Sequence, residues 1–338
     1  MKITIATPLY NSEDYIEATM LSALNQSYID LEYLIIDDCG TDKSLEIIRR
    51  LKSTHVRGKN IRIISHKKNM GVAEARNTAI RNAEGSYLFF LDSDDIMTHN
   101  CIELLYDAIK KKDAEIAIGS YEETSEKSDL VVKHIRPNIA LKGENSLLQY
   151  IYTTLNVKDH YIWNILFKVS FIRKNQLSFV LTKIGEDVIF YHDMITFVKS
   201  CVLIPDITYI YVKRANSLSQ FNSRDRIELD EIKAQLYFRQ YKKEKFRELK
   251  DKPYAANAAV QIMKDCVYAA ISIIKKKNII VPQISNKEIK ELLKCPFSLK
   301  EAIAFNNKRT MNIAFWILAH LPYEIELILL LGYIKIKK

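Results

Sequence analysis

Short, almost wholly apolar runs alternate with amphipathic ones through the first 120 residues. ITIATPL (3–9), YLIIDD (33–38), IRIIS (61–65), YLFFL (87–91) and AEIAIGSY (114–121) are rich in β-branched and aromatic residues, a composition that fits strands. Between them apolar positions recur at helical spacing, as with Ile16, Met20, Leu21 and Leu24 in the stretch from Tyr15 to Asn25. Helices are also predicted over GTDKSLEIIRRL, with Thr41 or Asp42 as N-cap, over GVAEARNTAIRNA and over CIELLYDAIKKK. Strands too apolar to keep one face wet, separated by helices, predict a mostly parallel sheet covered on both sides: a doubly wound α/β domain. In such sheets ligands bind beyond the carboxyl ends of the strands. The segments at those ends are PLYN (8–11), Asp37 and Asp38, HKKNMG (66–71) and DSDD (92–95).

From about Glu122 the alternation fades. Residues 144–176 read as mostly helical, including the apolar run YIWNILF; KIGEDVIFYHDMI (183–195) opens a further helix and ITYIYV (207–212) is a strand. Beyond Arg224 the pattern is helical and Lys-rich to the end. With 338 residues, 48% of them hydrophobic, the chain suits one large or two ordinary domains. Eight Gly and seven Pro argue against a long linker.

Charge is divided unevenly. Residues 1–100 carry 12 Lys+Arg against 14 Asp+Glu, a net −2, which leaves +11 for the remainder. A basic second half suits a polyanionic partner, whether phosphorylated substrate, nucleic acid or anionic membrane, or is simply a basic surface. Nucleic acid ranks last, because no binding motif and no aromatic-basic interleaving appears. Five dispersed cysteines with no Cys-x-x-Cys pair, and an N-terminus too soon polar for a signal peptide, predict reduced thiols in the cytoplasm.

The acids after YLFFL are the first chemical clue. Asp92, Asp94 and Asp95 fall within four positions, and like charges that close repel unless a cation holds them. A dehalogenase-type phosphoesterase would need Thr or Val where Ile96 stands. Helix capping accounts for one acid, not three. A hard divalent cation, Mn²⁺ or Mg²⁺, held by carboxylates and substrate phosphates accounts for both the repulsion and the place. Neither Gly-x-Gly-x-x-Gly nor a P-loop is present, which speaks against dinucleotide oxidoreductases and P-loop enzymes.

Taken in order, ITIATPLYNSEDY, EYLIIDDCGTDKS, NMGVAEARNTAIRNAEGSYLFFLDSDD, WNILFKVSFI and GEDVIF resemble the family-2 inverting glycosyltransferases with the GT-A (Rossmann-like) fold, over roughly residues 1–220. The resemblance implies a glycosyltransferase domain at 1–220, with nucleotide-sugar binding over about 1–120 and an acceptor and catalytic part over about 121–220. It leaves 221–338 as a helical, basic C-terminal region with an apolar tail. It further implies that Pro8, Tyr10 and Glu13 lie along the nucleotide and that Asp38 accepts from the base edge, usually uracil. Asp37 is then a structural or ribose-side acid. Asn69, Gly71 and Arg76 would also serve the nucleotide, with Asp92 and Ser93 near ribose and metal, and Asp94 on the metal itself. Asp95 stays open between a site acid and a helix cap.

By the same resemblance Asp187 is the general base and Glu186 its neighbour, although two acids in a helix's first turn also satisfy its dipole. By the resemblance Trp163 and Asn164 fall at the acceptor wall; a core Trp in an apolar run is an equally good reading. Arg214, Ser217 and Ser219 resemble a segment that folds over the diphosphate, although Lys213 and Arg214 fit a solvated surface equally well. The processive synthases' Gln-x-x-Arg-Trp motif is missing, since neither Trp163 nor Trp316 follows an arginine. The expected activity is transfer of one sugar from a UDP-sugar to a glycan or lipid-linked acceptor in bacterial surface polysaccharide synthesis. The alternative is a non-catalytic nucleotide-sugar or glycan-binding module on the same fold, whose mark would be a lost Asp94 or Asp187. Finally, residues 311–334 are apolar but broken by His320, Pro322, Glu324 and Glu326, so they fit a peripheral anchor on an anionic inner membrane face, a buried terminal helix or an oligomer contact.

Overall fold

The computed structural model describes residues 1–125, 128–154, 161–182, 184–214 and 226–336. The chain forms two compact units: Met1–Leu148, Asp159–Leu181 and Glu186–Ser217 make the first, and Gln149–Lys158, Thr182–Gly185 and Leu218–Lys338 the second. Two short segments, 149–158 and 182–185, group with the second unit.

In the first unit the βα alternation is built as the pattern predicts. Strands β1 (Ile3–Leu9), β2 (Leu31–Asp37), β3 (Ile61–Ser65) and β4 (Tyr87–Phe90) alternate with helices α1 (Ile16–Leu24), α2 (Ser44–Thr54) and α3 (Val72–Asn82). They pair in parallel in the order β3-β2-β1-β4. Every residue of β2 and β4 is buried, so both sheet faces are covered. Phe89 and Phe90 are wholly enclosed, each burial contributing ~1.5–3 kcal/mol.

Beyond β4 the sheet is mixed. After β5 (Ile96–Met97) and α4 (Cys101–Lys112) come β6 (Ile116–Ser125), β7 (Ser128–His134), β8 (Ile139–Lys142), α5 (Ser146–Thr154), β9 (Ile165–Lys168), α6 (Val169–Lys174), α7 (Glu186–Phe197) and β10 (Ser200–Lys213). The order continues β4-β9-β6-β10-β5, and β9 runs antiparallel to both its neighbours. This corrects the helical expectation over 144–176. The end of YIWNILF is a central strand, since a short apolar run carries no period to separate helix from strand. Asn164, in the left-handed region at φ 58°, turns the chain into it.

Apart from a short parallel pair of strands, Ile227–Glu228 with Ile280–Val281, the second unit is mainly helical beyond residue 228. α8 (Leu229–Leu249), α10 (Asn286–Leu293), α12 (Arg309–His320) and α13 (Tyr323–Ile336) all pack on α9 (Ala255–Lys276). The α9 face that meets them buries Ala259, Ile262, Met263, Cys266 and Ile273.

Candidate active site

The acids that end β4 are held by β10. Asp95 is buried, and its two oxygens accept from the Tyr209 hydroxyl at 2.9 Å and the Val212 amide at 3.0 Å. Burial, with Asp92 and Asp94 beside it, pushes its carboxyl well above the usual range. Asp95 is therefore a brace; β5 follows it, and the next helix begins only at Cys101, so it caps nothing. Ser93 meets the Ser12 hydroxyl at 2.7 Å, and its carbonyl accepts from Thr19 at 3.2 Å, which ties the acid loop to α1. Asp92 and Asp94 are left partly exposed. Burial and Asp92 raise the Asp94 carboxyl, opposed by Arg214, whose Nη1 donates to Asp94 Oδ2 at 3.0 Å. The Arg214 guanidinium also lies 4.0 Å from the ring centre of Tyr15. Ser217 and Ser219 lie outside the described residues.

Arg76 joins this loop to α7. The side chain is 6% exposed, donates from Nη2 to Asp92 at 2.9 Å and from Nη1 to Glu186 at 2.8 Å, and sits over the Phe179 ring. Burial opposes its charge, but Asp92, Glu186 and Asp187 outweigh burial and hold it firmly protonated. Asn77, next along α3, clamps the Phe179 backbone in both directions, at 2.8 and 2.7 Å. Glu186 and Asp187 open α7, and Asp187 accepts from the Val188 amide at 2.8 Å. Burial first, then Glu186, raises the Asp187 carboxyl to about 7, with Arg76 pulling the other way. A carboxyl group in that range is suited to take a proton near neutral pH.

On the β1–β2 side Asp38 is buried and organises the loop after β3. It accepts from His66 Nδ1 at 2.7 Å and from the Met70 and Gly71 amides, both at 2.8 Å. A carboxylate has about four acceptor sites, so these three leave room for one further donor. His66 also meets Thr78 at 3.0 Å through Nε2. Gly71 precedes α3 at φ 85°, a conformation glycine takes freely. Asn69 is exposed. Pro8 is half-buried and Tyr10 48% exposed, whereas Glu13 accepts from the Lys43 amide at 2.9 Å and so braces the start of α2. Asp37 is buried and receives the Gly40 amide at 3.4 Å.

The two residues expected at an acceptor wall lie in the core. Trp163 stacks with Tyr161, Tyr209 and Tyr211 at 3.7, 4.7 and 5.5 Å. Asn164 is wholly buried; its amide donates to the Gly119 and Ser120 carbonyls and accepts from Thr208 at 2.6 Å. Sequence reasoning passed over His66, Phe179 and Tyr209. The first stood inside a flagged segment at a strand end; the other two carry no local signal, because their partners are remote in sequence.

Among the described residues no group of three or more His, Cys, Asp or Glu side chains is arranged to hold a metal ion. The donors at Asp92 and Asp94 still fit Mg²⁺ or Mn²⁺, hard ions that take one or two carboxylates and draw the rest of their shell from phosphate and water. Bound there, such an ion would neutralise charge on a departing diphosphate.

The model of the family described as Glycosyl transferase family 2 matches residues 4–175. Glycosyltransferase GlyA of Streptococcus pneumoniae is 29% identical over 65% of this chain and 32% of its own length. The poly(ribitol-phosphate) β-N-acetylglucosaminyltransferase TarP of Staphylococcus aureus is 29% identical over 70% of this chain and 69% of its own. The chain spans between 32% and 46% of the length of the first three curated relatives it matches. Among solved structures, S. aureus TarS 1–349 in complex with UDP-GlcNAc aligns with TM-score 0.61 at 16% identity, over 94% of this chain and 90% of that one. With a mixed sheet that shares their GT-A architecture and a family model matching half its length, the chain belongs to glycosyl transferase family 2.

Proposed function

We propose that this chain transfers one sugar, with inversion, from a UDP-sugar to a hydroxyl of a glycan or lipid-linked acceptor in the making of a bacterial surface polysaccharide. The observation that carries the reading is the Arg76 bridge, which ties Asp92 of the acid loop to Glu186 beside Asp187. Asp187 then takes the acceptor's proton and Glu186, fixed by Arg76, keeps the helix start in place. Asp38 offers its remaining acceptor site to a base N–H, as uracil presents. Asp92 and Asp94 would hold Mn²⁺ or Mg²⁺. Support for UDP comes from the TarS neighbour, seen with UDP-GlcNAc, and support for the setting from TarP, named for transfer to poly(ribitol-phosphate).

The test is a thermal-shift panel of UDP, GDP, CDP and TDP, each with and without Mn²⁺. The expected result is a UDP shift that needs the metal, disappears in Asp94→Ala and persists in Asp187→Asn. No shift with any nucleotide would sink the reading. A shift without turnover on any sugar-nucleotide would leave a binding module in its place.

A further inference from the structure

The last described helix is apolar on both faces. α13 turns Leu330 inward, 4% exposed, together with Glu326, whose carboxylate oxygens are buried without a hydrogen-bond partner. Outward it presents Ile325, Ile328, Leu329 and Leu331, at 45, 67, 51 and 40% exposure. Spacings of three and four set these on one stripe. A surface helix in water keeps acids out and aliphatics in; here an acid is inside and the aliphatics face out. α12 before it exposes Met311 and Ile317 and holds Trp316 half-buried.

Length and charge select the partner. Among the described residues no helix is long and apolar enough to cross a membrane. A helix with such a stripe lies along a surface. Lys308 and Arg309 are exposed at the start of α12, and the sequence supplies Lys335, Lys337 and Lys338 beyond the stripe. Among the described side chains of 309–332 the one exposed acid is Glu324. Trp316 and Tyr323 are residue types that settle at headgroup level. A second copy joined through this stripe would bring its flanking cations, Lys308, Arg309, Lys335, Lys337 and Lys338, toward their like, whereas anionic lipid attracts them.

We propose that α12 and α13 form a docking surface for an anionic bilayer, with α13 lying in the headgroup plane and Ile325, Ile328 and Leu329 inserted. Vesicle binding needs no turnover, so this surface stands or falls apart from the sugar-transfer reading. The experiment floats the full chain with vesicles of mixed phosphatidylglycerol and phosphatidylcholine, or of phosphatidylcholine alone, on a density gradient. Most of the protein is expected to rise with the anionic vesicles at low salt, and little with neutral ones or at ~0.5 M salt. The double variant Ile328→Glu, Leu329→Glu, changed only at exposed positions, is expected to lower the floated fraction at least about tenfold with unchanged far-UV spectrum and melting temperature. Failure to float with anionic vesicles, or equal flotation of the double variant, overturns the proposal. So does a dimer in solution that the double variant converts to monomer without any vesicle binding, which would assign the stripe to a second copy.

Discussion

At Asp187 the fold holds a carboxyl group that it would hold more easily as the acid. Burial and Glu186 raise it to about 7, from an ordinary value near 4. Between those two values the folded chain keeps a proton that the unfolded chain releases. Stability is therefore expected to fall as pH rises from about 4 to about 7 and then to level off. Asp187→Asn removes that slope and is expected to be at least ~1 kcal/mol more stable than wild type at pH 8. The same change removes the base, so kcat should drop by ~10²–10⁴ while UDP binding is retained. Wild-type kcat/KM should fall on the acid side with a midpoint near pH 7, as the carboxylate is lost. Urea melts and initial rates between pH 5 and 9 check both. An Asn variant that keeps its turnover, or a flat acid limb, would take the base assignment away from Asp187.

Three elements meet through one guanidinium: α3 carries Arg76, the turn after β4 carries Asp92 and the first turn of α7 carries Glu186. Arg76→Met would leave Glu186 buried without its countercharge, and breaking a buried pair in this way costs about 3–5 kcal/mol. Arg76→Lys keeps the charge but not the planar fork, so it should recover part of the stability and less of the turnover. Denaturant midpoints measure the first effect and kcat the second; a loss under ~1 kcal/mol for Arg76→Met would mean the three elements are held elsewhere. This bridge also marks the limit of what the sequence makes legible. The strands of the first 120 residues could be read because each is a short β-branched run bounded by amphipathic helices. The acids of DSDD and GEDVIF could be found by their clustering and order. That Arg76 of one motif grips Glu186, 110 residues on, could not be read, because such pairing belongs to the fold and leaves no mark on spacing. β9 was hidden by the lack of period in YIWNILF. The core place of Asn164 was hidden with it, and a core Trp163 could be offered but not chosen, since their partners on β6 and β10 come from either side of that segment in the chain.

At the scale of the whole chain, the two compact units are interleaved: the chain enters the second at 149–158, leaves it, returns for 182–185 and enters finally at 218. Within the second unit these early segments have partners that come later. Tyr152 stacks on Tyr254, with ring centres 6.0 Å apart and planes 16° from parallel. Gly185, at φ 85°, lies so close against Phe238 that an added Cβ would come within 2.4 Å of its ring. A chain ended at residue 217 keeps all of its first-unit sequence and every candidate site residue from Pro8 to Arg214. It loses Tyr254 and Phe238, however, so Ile151 and Tyr152, now 5 and 8% exposed, have no second-unit core to enter. Gly185 loses its packing one residue before Glu186 and Asp187. Burial of such side chains contributes ~1.5–3 kcal/mol each, a large part of the 5–15 kcal/mol that holds a domain folded. The shortened chain is therefore expected to aggregate or melt without a cooperative transition, and to show no UDP shift although every candidate binding residue is present. Differential scanning calorimetry beside size-exclusion chromatography decides it. A sharp transition within a few degrees of the full chain, with the UDP shift intact, would mean that the transferase part folds without its helical partner and that the interleaved segments are incidental to it.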